Sequence, residues 1–207
     1  MNIVDPQAAL DYWKSKTSID PSKFAKLNAR TKAKSFTVAK TWNENFIADV
    51  EASIGDALAN GTSAADWATR FESILSSYGG AENVGTNEFG SGYLDMLFRT
   101  NTQTAYQAGR NSEMFSAEGQ ARAEYFMWSA IMDDAIDDIC EELDGQVFPK
   151  NSYDAQGLTP PAHYNCRCTL IELDAEDLKD GGYTLSYAKD VNTEDFLFDN
   201  RDNLGLI

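Results

Sequence analysis

Two nearby segments carry most of the distinctive chemistry of this chain: WSAIMDDAIDDICEELDGQVF, from Trp128 to Phe148, and PPAHYNCRC, from Pro160 to Cys168. All three cysteines and the single histidine lie between Cys140 and Cys168. Thiolate and imidazole groups are ligands for Zn²⁺ and also serve in nucleophilic catalysis. Any site of either kind is therefore expected in this part of the chain.

A strand followed by a helix is predicted at the start of this region. The aromatic segment EYFMWS, which begins at Glu124, has the composition of a buried strand. A helix is predicted from near Asp133 to the Asp-Gly pair at Asp144. Its inner face would hold Ile136, Ile139, Cys140 and Leu143. Its many carboxylates favour a solvated face and complement the helix dipole, whereas Mg²⁺ binding or acid–base chemistry is the less favoured alternative.

The candidate metal ligands are Cys140, His163, Cys166 and Cys168. The last two cysteines stand two residues apart just before TLIEL, a predicted strand at 169–173, so their side chains would leave one face. Together the four residues form a Cys₃His set suited to structural, tetrahedral Zn²⁺. Because no C-x-x-C knuckle is present, reduced core cysteines remain the alternative. No third group orients a Cys–His pair, so no catalytic residue is predicted.

Charge is distributed unevenly along the chain, whose net charge is -16. Residues 1–110 hold 11 basic and 12 acidic side chains, whereas residues 111–207 hold 6 and 21. From Lys14 to Lys40 there are eight basic residues and one acid, Asp20. Such a segment favours either a solvated helix face or non-specific binding of double-stranded DNA. The candidate DNA contacts are Lys26, Arg30, Lys32 and Lys34.

Helices are predicted for the first eighty residues. One apolar stripe at helical spacing consists of Trp42, Phe46, Val50, Ile54 and Leu58. Gly61 is placed to end that helix, and Ser63 to cap the next one with Asp66 three residues on. Two helices joined by so short a turn predict an antiparallel hairpin. Earlier helices are predicted over Pro6–Ser15 and Pro21–Thr41.

A glycine-rich segment, Tyr78–Gly92, predicts a linker, and a helix is predicted after it over Leu94–Met114. One polar stripe of this helix, proposed for partner binding, consists of Arg99, Gln103, Tyr106 and Arg110. A second stripe, in which small residues would permit close approach of another backbone, consists of Phe98, Thr102, Ala105 and Gly109. The arginines can alternatively pair with acids of the same chain.

These patterns predict an α+β fold: a predominantly helical N-terminal part, then a small mixed α/β C-terminal domain with a few short strands. The predicted divisions are a helical domain at 1–77, a linker at 78–92, an α+β domain at 93–173 and an acidic C-terminal arm at 174–207. The last segment carries scattered apolar residues, which predict either an extended arm that orders against a partner or a frayed terminus.

Composition indicates a globular protein, with 43% hydrophobic residues in a chain of 207. No apolar run reaches the roughly 18 residues of a membrane span, and the first residues lack a signal-peptide pattern. We therefore expect no membrane partner and a cytosol-like compartment. The odd number of cysteines favours free thiols or metal ligands over a disulfide framework.

The chain resembles the Mu F-like family of phage minor head, or head morphogenesis, proteins in the order of several short sequence segments, called phrases below. The phrases, colinear over roughly residues 5–172, are TKAKSFTVA (31–39), ALANGTS (57–63), RTNTQTAYQAGR (99–110), WSAIMD (128–133), LDGQVF (143–148) and PPAHYNCRC (160–168). The signature positions that match are Asp133, Leu143, Asp144, Gly145, Pro160, Pro161, His163, Asn165, Cys166, Arg167 and Cys168. Cys140 falls where the family carries Cys or His. The chain departs from the family at Asp137, often a cysteine, and at Ala135, often an arginine.

The resemblance implies a structural, non-enzymatic protein of a tailed-phage head, assembled in the host cytoplasm and present in the virion near the portal, in multiple copies. It implies a role in head assembly, DNA packaging or genome delivery, with the portal, major capsid or scaffold protein as partners. Two alternatives stay open. One is an enzyme or toxin-like domain acting on nucleic acid or a nucleotide, and the other is a non-specific DNA-binding protein.

Overall fold

The computed structural model describes residues 6–86 and 88–204. The longer helices are α1 (Pro6–Lys14), α4 (Glu44–Asn60), α5 (Ala64–Ser77) and α7 (Ser91–Met114). The shorter helices are α2 (Pro21–Phe24), α3 (Ala29–Ala33), α6 (Ala81–Val84), α8 (Ala117–Arg122), α9 (Asp138–Leu143), α10 (Tyr153–Gln156) and α11 (Ala175–Asp180). The strands are β1 (Thr17–Ser18), β2 (Ser35–Phe36), β3 (Tyr125–Ser129), β4 (Val147–Pro149) and β5 (Thr169–Leu173). The predicted α+β fold, helical in its N-terminal part, is confirmed.

The predicted helical hairpin is formed by α4 and α5. Gly61 ends α4 in the left-handed conformation with φ of 65°, which a residue without a Cβ adopts freely. Ser63 caps α5 by accepting from the backbone N–H of Asp66. The two helices are joined through the core, where Trp67 Nε1 donates to Ser53 Oγ at 2.9 Å. Trp42 is not part of the buried stripe, because it precedes α4 and is 63% exposed.

The prediction of a continuous helix over Pro21–Thr41 is wrong. The segment holds α2, α3 and β2, and β2 pairs in parallel with β1. The interruption has a local cause, since Asn28 accepts from the N–H of Thr31 and so starts a separate helix. Lys40 then takes a positive φ of 64°, which is incompatible with a continuing helix. The first eighty residues are therefore not purely helical.

Helix α7 belongs to both main hydrophobic clusters. Leu97, Phe98 and Ala105 pack in the first cluster with α1, α4 and α5, whereas Met114 packs in the second cluster against the sheet. The predicted close approach occurs at Gly109, where an added Cβ would lie 2.9 Å from the backbone nitrogen of Ala9. The division of the chain at 78–92 stays a prediction. The segment contains helix α6, and helix α7, which follows it, packs in the first hydrophobic cluster.

The second cluster is built on a three-stranded sheet of order β4-β3-β5. The strand β3 runs antiparallel to both neighbours, with Tyr125 opposite Pro149 on one side and Leu173 on the other. Both strands expected from EYFMWS and TLIEL are present. The helix expected from near Asp133 begins only at Asp138, because the preceding residues form turns and Asp137 is its N-cap.

The C-terminal segment folds back on the chain instead of extending as an arm. The backbone N–H groups of Leu197 and Phe198 both donate to the carbonyl of Ala162, at 2.8 and 3.1 Å. Phe198 joins Phe24 and Ala33 in a third hydrophobic cluster. Phe196, Phe198 and Leu204 are therefore buried within the chain itself, whereas Tyr183, Leu185 and Tyr187 are exposed. Leu206 and Ile207, also part of the predicted arm, lie outside the described residues.

Candidate functional site

Cys140, His163 and Cys166 meet at the edge of the second cluster. The Cys140 Sγ lies 2.9 Å from His163 Nε2 and 3.9 Å from Cys166 Sγ. The three ligand atoms all fall within 4.8 Å of one another. Both cysteines are buried and the histidine is half-buried. Among residues 6–86 and 88–204, no other His, Cys, Asp and Glu side chains form such a group of three.

Local geometry brings the histidine and the second cysteine together. Asn165 takes a left-handed φ of 58°, a conformation that asparagine adopts more readily than most residues. The resulting turn lets the N–H of Cys166 approach the carbonyl of His163 at 3.4 Å. The N–H of Asn165 donates to Thr100 Oγ1 of α7 at 3.0 Å, which fixes the turn against that helix. The spacing H-x-x-C thus forms one side of the site.

A bidentate ion pair connects the turn before α9 to the segment before β5. Arg167 donates to both carboxylate oxygens of Asp133, at 2.5 and 2.6 Å. The Arg167 guanidinium is the main reason that the pKa of Asp133 falls to about 2. Both residues belong to phrases that carry the sequence resemblance, so this contact accounts for one pair of signature positions. Sequence reasoning placed each residue in a motif but did not pair them.

Cys168 lies next to this group, but its sulfur is not among the three ligand atoms that all fall within 4.8 Å of one another. Its side chain is buried, and its thiol interacts with those of Cys140 and Cys166. It precedes β5, which begins at Thr169, so the expectation that both cysteines leave one face of the strand does not apply. The carbonyl of Cys168 accepts from Gln107 Nε2 at 3.0 Å, which anchors this residue to α7.

The thiols influence one another's protonation. Contacts with Cys140 and Cys168 hold the pKa of the Cys166 thiol far below its usual range. Contacts with Cys166 and Cys168, and then burial, raise the pKa of Cys140. Burial is the largest single influence on the pKa of His163 and lowers it, but Cys166, the Tyr164 carbonyl and Asp137 together make the net shift upward. The sulfur atoms and the imidazole nitrogen of this group therefore place several potential metal-ligand atoms close together.

The predicted partner-binding stripe divides into exposed and internal residues. Arg99 and Tyr106 are exposed, and Arg99 makes an ion pair with Asp95 at 3.3 Å. Arg110 is engaged inside the chain, because its guanidinium donates to Thr169 Oγ1 at 2.6 Å and to the carbonyl of Leu170 at 2.8 Å.

Two of the resemblance phrases line a shared open groove. From α7 come Arg99 and Gln103, and from the PPAHYNCRC phrase come Asn165, Cys166 and Arg167. These phrases stand about sixty residues apart in the sequence, so their meeting could not be inferred from spacing alone. The groove places Arg99 and Gln103 of the predicted partner-binding stripe on a concave surface next to the cysteine–histidine group.

The candidate DNA contacts are partly occupied by the C-terminal segment. Arg30 and Lys34 both make ion pairs with Asp202, the second at 3.1 Å, and Arg30 Nη1 donates to Tyr153 Oη at 3.2 Å. Lys32 lies over the ring of Phe24, 6.0 Å from its centroid. The contacts of Arg30 and Lys34 with Asp202 and Tyr153 leave no local sequence signal, because these partners are more than a hundred residues away.

One buried cation was not anticipated from the sequence. Lys150 is 1% exposed, and its ammonium donates to the carbonyls of Met114 and Gly119, both at 3.1 Å, and to Glu172 Oε1 at 2.6 Å. The lysine thus joins the end of α7, helix α8 and strand β5. No sequence pattern marks it, since an isolated lysine is normally a surface residue.

Comparison with known proteins gives a consistent set of matches. A family model described as Phage Mu protein F like protein matches residues 48–171. "Putative capsid assembly protein F" of Escherichia phage Mu is 26% identical over 204 residues, covering 92% of this chain and 45% of that protein. "Mu-like prophage FluMu F protein" of Haemophilus influenzae is 26% identical over 160 residues, covering 74% and 38%. This chain spans less than half the length of these relatives, and no solved structure matches it significantly.

Proposed function

We propose a function for this chain from one premise: it belongs to the family of Phage Mu protein F like proteins. We infer that it is a structural protein of a tailed-phage head that takes part in head assembly. The observation that carries this inference is the family match, which spans both main hydrophobic clusters from α4 to β5. A relative named as a putative capsid assembly protein, aligned over most of this chain, supports the same role.

The finer proposal is that the chain docks on the portal or the inner capsid. The groove beside the cysteine–histidine group is the surface that we assign to docking. It combines the exposed guanidinium of Arg99 with the side chains of Gln103 and Arg167. Arginine is enriched at protein interfaces because its planar group forms several directed hydrogen bonds. The major capsid and scaffold proteins are the other candidate partners. If the chain stays in contact with the portal in DNA-filled heads, we further propose a role in DNA packaging or genome delivery.

The protein acts in this proposal as a non-enzymatic component present in several copies within the virion, assembled in the host cytoplasm. Its second cluster supplies stability rather than chemistry. No helix among the described residues is both long and apolar enough to cross a membrane. Binding of DNA through Lys26, Arg30, Lys32 and Lys34 is the less favoured role, since two of these residues already pair with Asp202.

The general role is tested by removing the chain from the phage that encodes it. We expect a nonsense mutant to form few infectious particles, with aberrant or empty heads in electron micrographs, and to recover when the intact chain is supplied in trans. Normal yields of filled heads without the chain would contradict the head-assembly role. If the purified chain shows nuclease or nucleotide-directed activity in vitro, a variant without that activity is supplied in trans. Full recovery of infectious particles by this variant would exclude the enzymatic alternative.

Docking is tested separately with two matched arginines. Arg99 is 55% exposed and pairs with Asp95, whereas Arg70 on α5 is 50% exposed and pairs with Asp56. We expect Arg99→Glu to reduce capture of purified portal protein at least about tenfold, which equals roughly 1.4 kcal/mol. Arg70→Glu should leave capture unchanged. Equal effects of both variants, or capture of major capsid protein alone, would contradict docking on the portal through this groove.

A further inference from the structure

We propose that Cys140, His163, Cys166 and Cys168 bind one Zn²⁺ ion as a closed structural site. This inference is independent of the head-assembly role, because it concerns how the second cluster is held together. It rests on the distances among the donor atoms, the hydrogen bonding of the histidine ring and the burial of the set.

The distances between donor atoms suit a tetrahedral zinc ion. With Zn–S bonds of about 2.3 Å, two sulfurs of a tetrahedral site lie about 3.8 Å apart. Cys140 Sγ and Cys166 Sγ are separated by 3.9 Å. A sulfur and an imidazole nitrogen would lie about 3.6 Å apart, whereas Cys140 Sγ and His163 Nε2 are at 2.9 Å. The imidazole, which is only half-buried, therefore has to move outward by about 0.7 Å on binding, given the bond lengths usual for zinc.

The hydrogen bonding of His163 prepares one nitrogen for a metal. Its Nδ1 lies 2.7 Å from the carbonyl oxygen of Tyr164, which accepts only, so Nδ1 carries the proton. Nε2 then presents its lone pair toward the cysteines. Metal-bound histidines usually donate their other N–H to a carbonyl or carboxylate in this way, which fixes both the tautomer and the ring orientation.

We assign the fourth ligand to Cys168, whose sulfur lies outside the three ligand atoms that fall within 4.8 Å of one another and would have to move toward them on binding. It is 2% exposed, and its thiol interacts with the thiols of both Cys140 and Cys166. Four protein ligands leave no position for water or substrate, which is typical of structural zinc and not of catalytic zinc. Catalytic sites commonly keep three protein ligands and one exchangeable position.

The ion would join three segments of the second cluster. Cys140 comes from α9, His163 from the loop after the prolines, and Cys168 from the residue before β5. Helix α9 has only six residues, too few to be stable without tertiary contacts. The zinc ion would hold this helix against the sheet, and its binding energy would become part of the folding energy of the second cluster.

A disulfide between Cys140 and Cys166 is the rival use of the same sulfurs, so the test is made under reducing conditions. The full chain is purified with a phosphine reductant from zinc-supplemented medium, and its metal content is measured by elemental mass spectrometry. We expect one zinc per chain. X-ray absorption should give three sulfur neighbours at about 2.3 Å and one nitrogen at about 2.0–2.1 Å.

Variants separate binding from folding. Cys166→Ser and His163→Gln should each lose most of the zinc, whereas Ala155→Ser, which perturbs another buried residue of the same cluster, should retain it. Because a ligand variant can misfold, the intact protein is also exchanged with Co²⁺. Tetrahedral cobalt with intense thiolate charge-transfer bands is expected, and these bands should weaken in Cys168→Ser.

Several outcomes would overturn the inference. One is folded, reduced protein that holds no zinc and takes up no cobalt. A second is a zinc content that the Cys166→Ser and His163→Gln variants retain. A third is a site with only two sulfurs in the intact protein, which would exclude Cys168 as a ligand. Iron in place of zinc with the same ligands would overturn the identity of the ion.

Discussion

The ammonium of Lys150 lies 2.6 Å from the carboxylate of Glu172, with the lysine almost fully buried and the glutamate largely so. Burial lowers the pKa of Lys150, although Glu172 opposes the shift. Arg122 reaches the same carboxylate at 2.9 Å, so Glu172 balances two cations. A lysine in this position satisfies the carbonyl of Met114 at the end of α7, which the helix itself cannot.

Replacing Lys150 by methionine should destabilise the protein by about 2–4 kcal/mol. The change removes the side-chain donor to the carbonyls of Met114 and Gly119 and one partner of a buried ion pair. Urea unfolding followed by circular dichroism measures the loss. Lys179→Met removes the same charge from an exposed position on α11 and should change the free energy of unfolding by less than about 0.5 kcal/mol. Similar effects from both variants would contradict the structural role of Lys150.

Two glycines of α7 should respond to alanine in opposite directions. At Gly109 a Cβ would meet the backbone of Ala9 at 2.9 Å, so Gly109→Ala should cost about 1–3 kcal/mol through overpacking. Gly92 has no heavy atom within 4 Å of an added Cβ, so Gly92→Ala should add about 0.5–1 kcal/mol. Thermal unfolding of the two variants provides the comparison. A stabilising Gly109→Ala would refute close packing of α1 on α7.

The contribution of Lys16 to stability should rise with pH between about 7 and 10.5. Burial lowers the pKa of Lys16 from 10.5 to about 7, while Glu51 partly opposes the shift. In this window the unfolded chain binds a proton at Lys16 that the folded chain does not, so the free energy of unfolding increases with pH. The largest slope from one such group is about 1.4 kcal/mol per pH unit.

Lys16→Met should flatten this pH dependence, whereas Lys14→Met should not, because Lys14 is exposed on the last turn of α1. Urea midpoints measured from pH 6.5 to about 9.5 test the difference below the range where tyrosines ionise. An unchanged slope in Lys16→Met would show that the ammonium stays protonated in the folded state.

If the basic segment can bind duplex DNA, the C-terminal segment should weaken that binding. Asp202 pairs with both Arg30 and Lys34, and the Arg30 contact is the largest cause of its pKa falling to about 2. Asp202→Asn should tighten binding by about fivefold, or roughly 1 kcal/mol, at low salt. Fluorescence anisotropy with a random duplex measures it, and the affinity should fall steeply with added salt.

Asp195→Asn is the control for this experiment. It makes the same charge change at an exposed position in the same segment. Equal tightening by both variants would mean that net charge, rather than release of Arg30 and Lys34, controls the affinity. No binding by either variant at 50 mM salt, a condition that favours phosphate contacts, would remove the DNA-binding alternative.

Local sequence signals predicted those parts of the fold that local interactions determine. The Gly61 terminus, the Ser63 cap and the aromatic strand at β3 were all predicted correctly, because each depends on residues within a few positions. The start of α9 was placed too early. A run of acidic residues has helical composition, but the side chain of Asp137 caps a helix that begins after it.

Longer-range contacts set the rest of the structure and left no local signal. The fold-back of the C-terminal segment depends on the carbonyl of Ala162 and on the charges of Arg30 and Lys34, all far away in the sequence. The approach of Cys140 to His163 was expected from residue chemistry, but the placement of Cys168 required the turn at Asn165. Patterns of hydrophobicity identify faces of elements and do not identify which faces meet.

Helix α7 gives the molecule a mechanical property that neither cluster would have alone. At about 1.5 Å per residue its 24 residues extend roughly 36 Å, and both main clusters are built on its sides. Thr100 and Gln107 of this helix hold the loop of the cysteine–histidine group. Because a helix is stiff along its axis, a load on the first turns of α7 would reach that loop without unfolding of the residues between them.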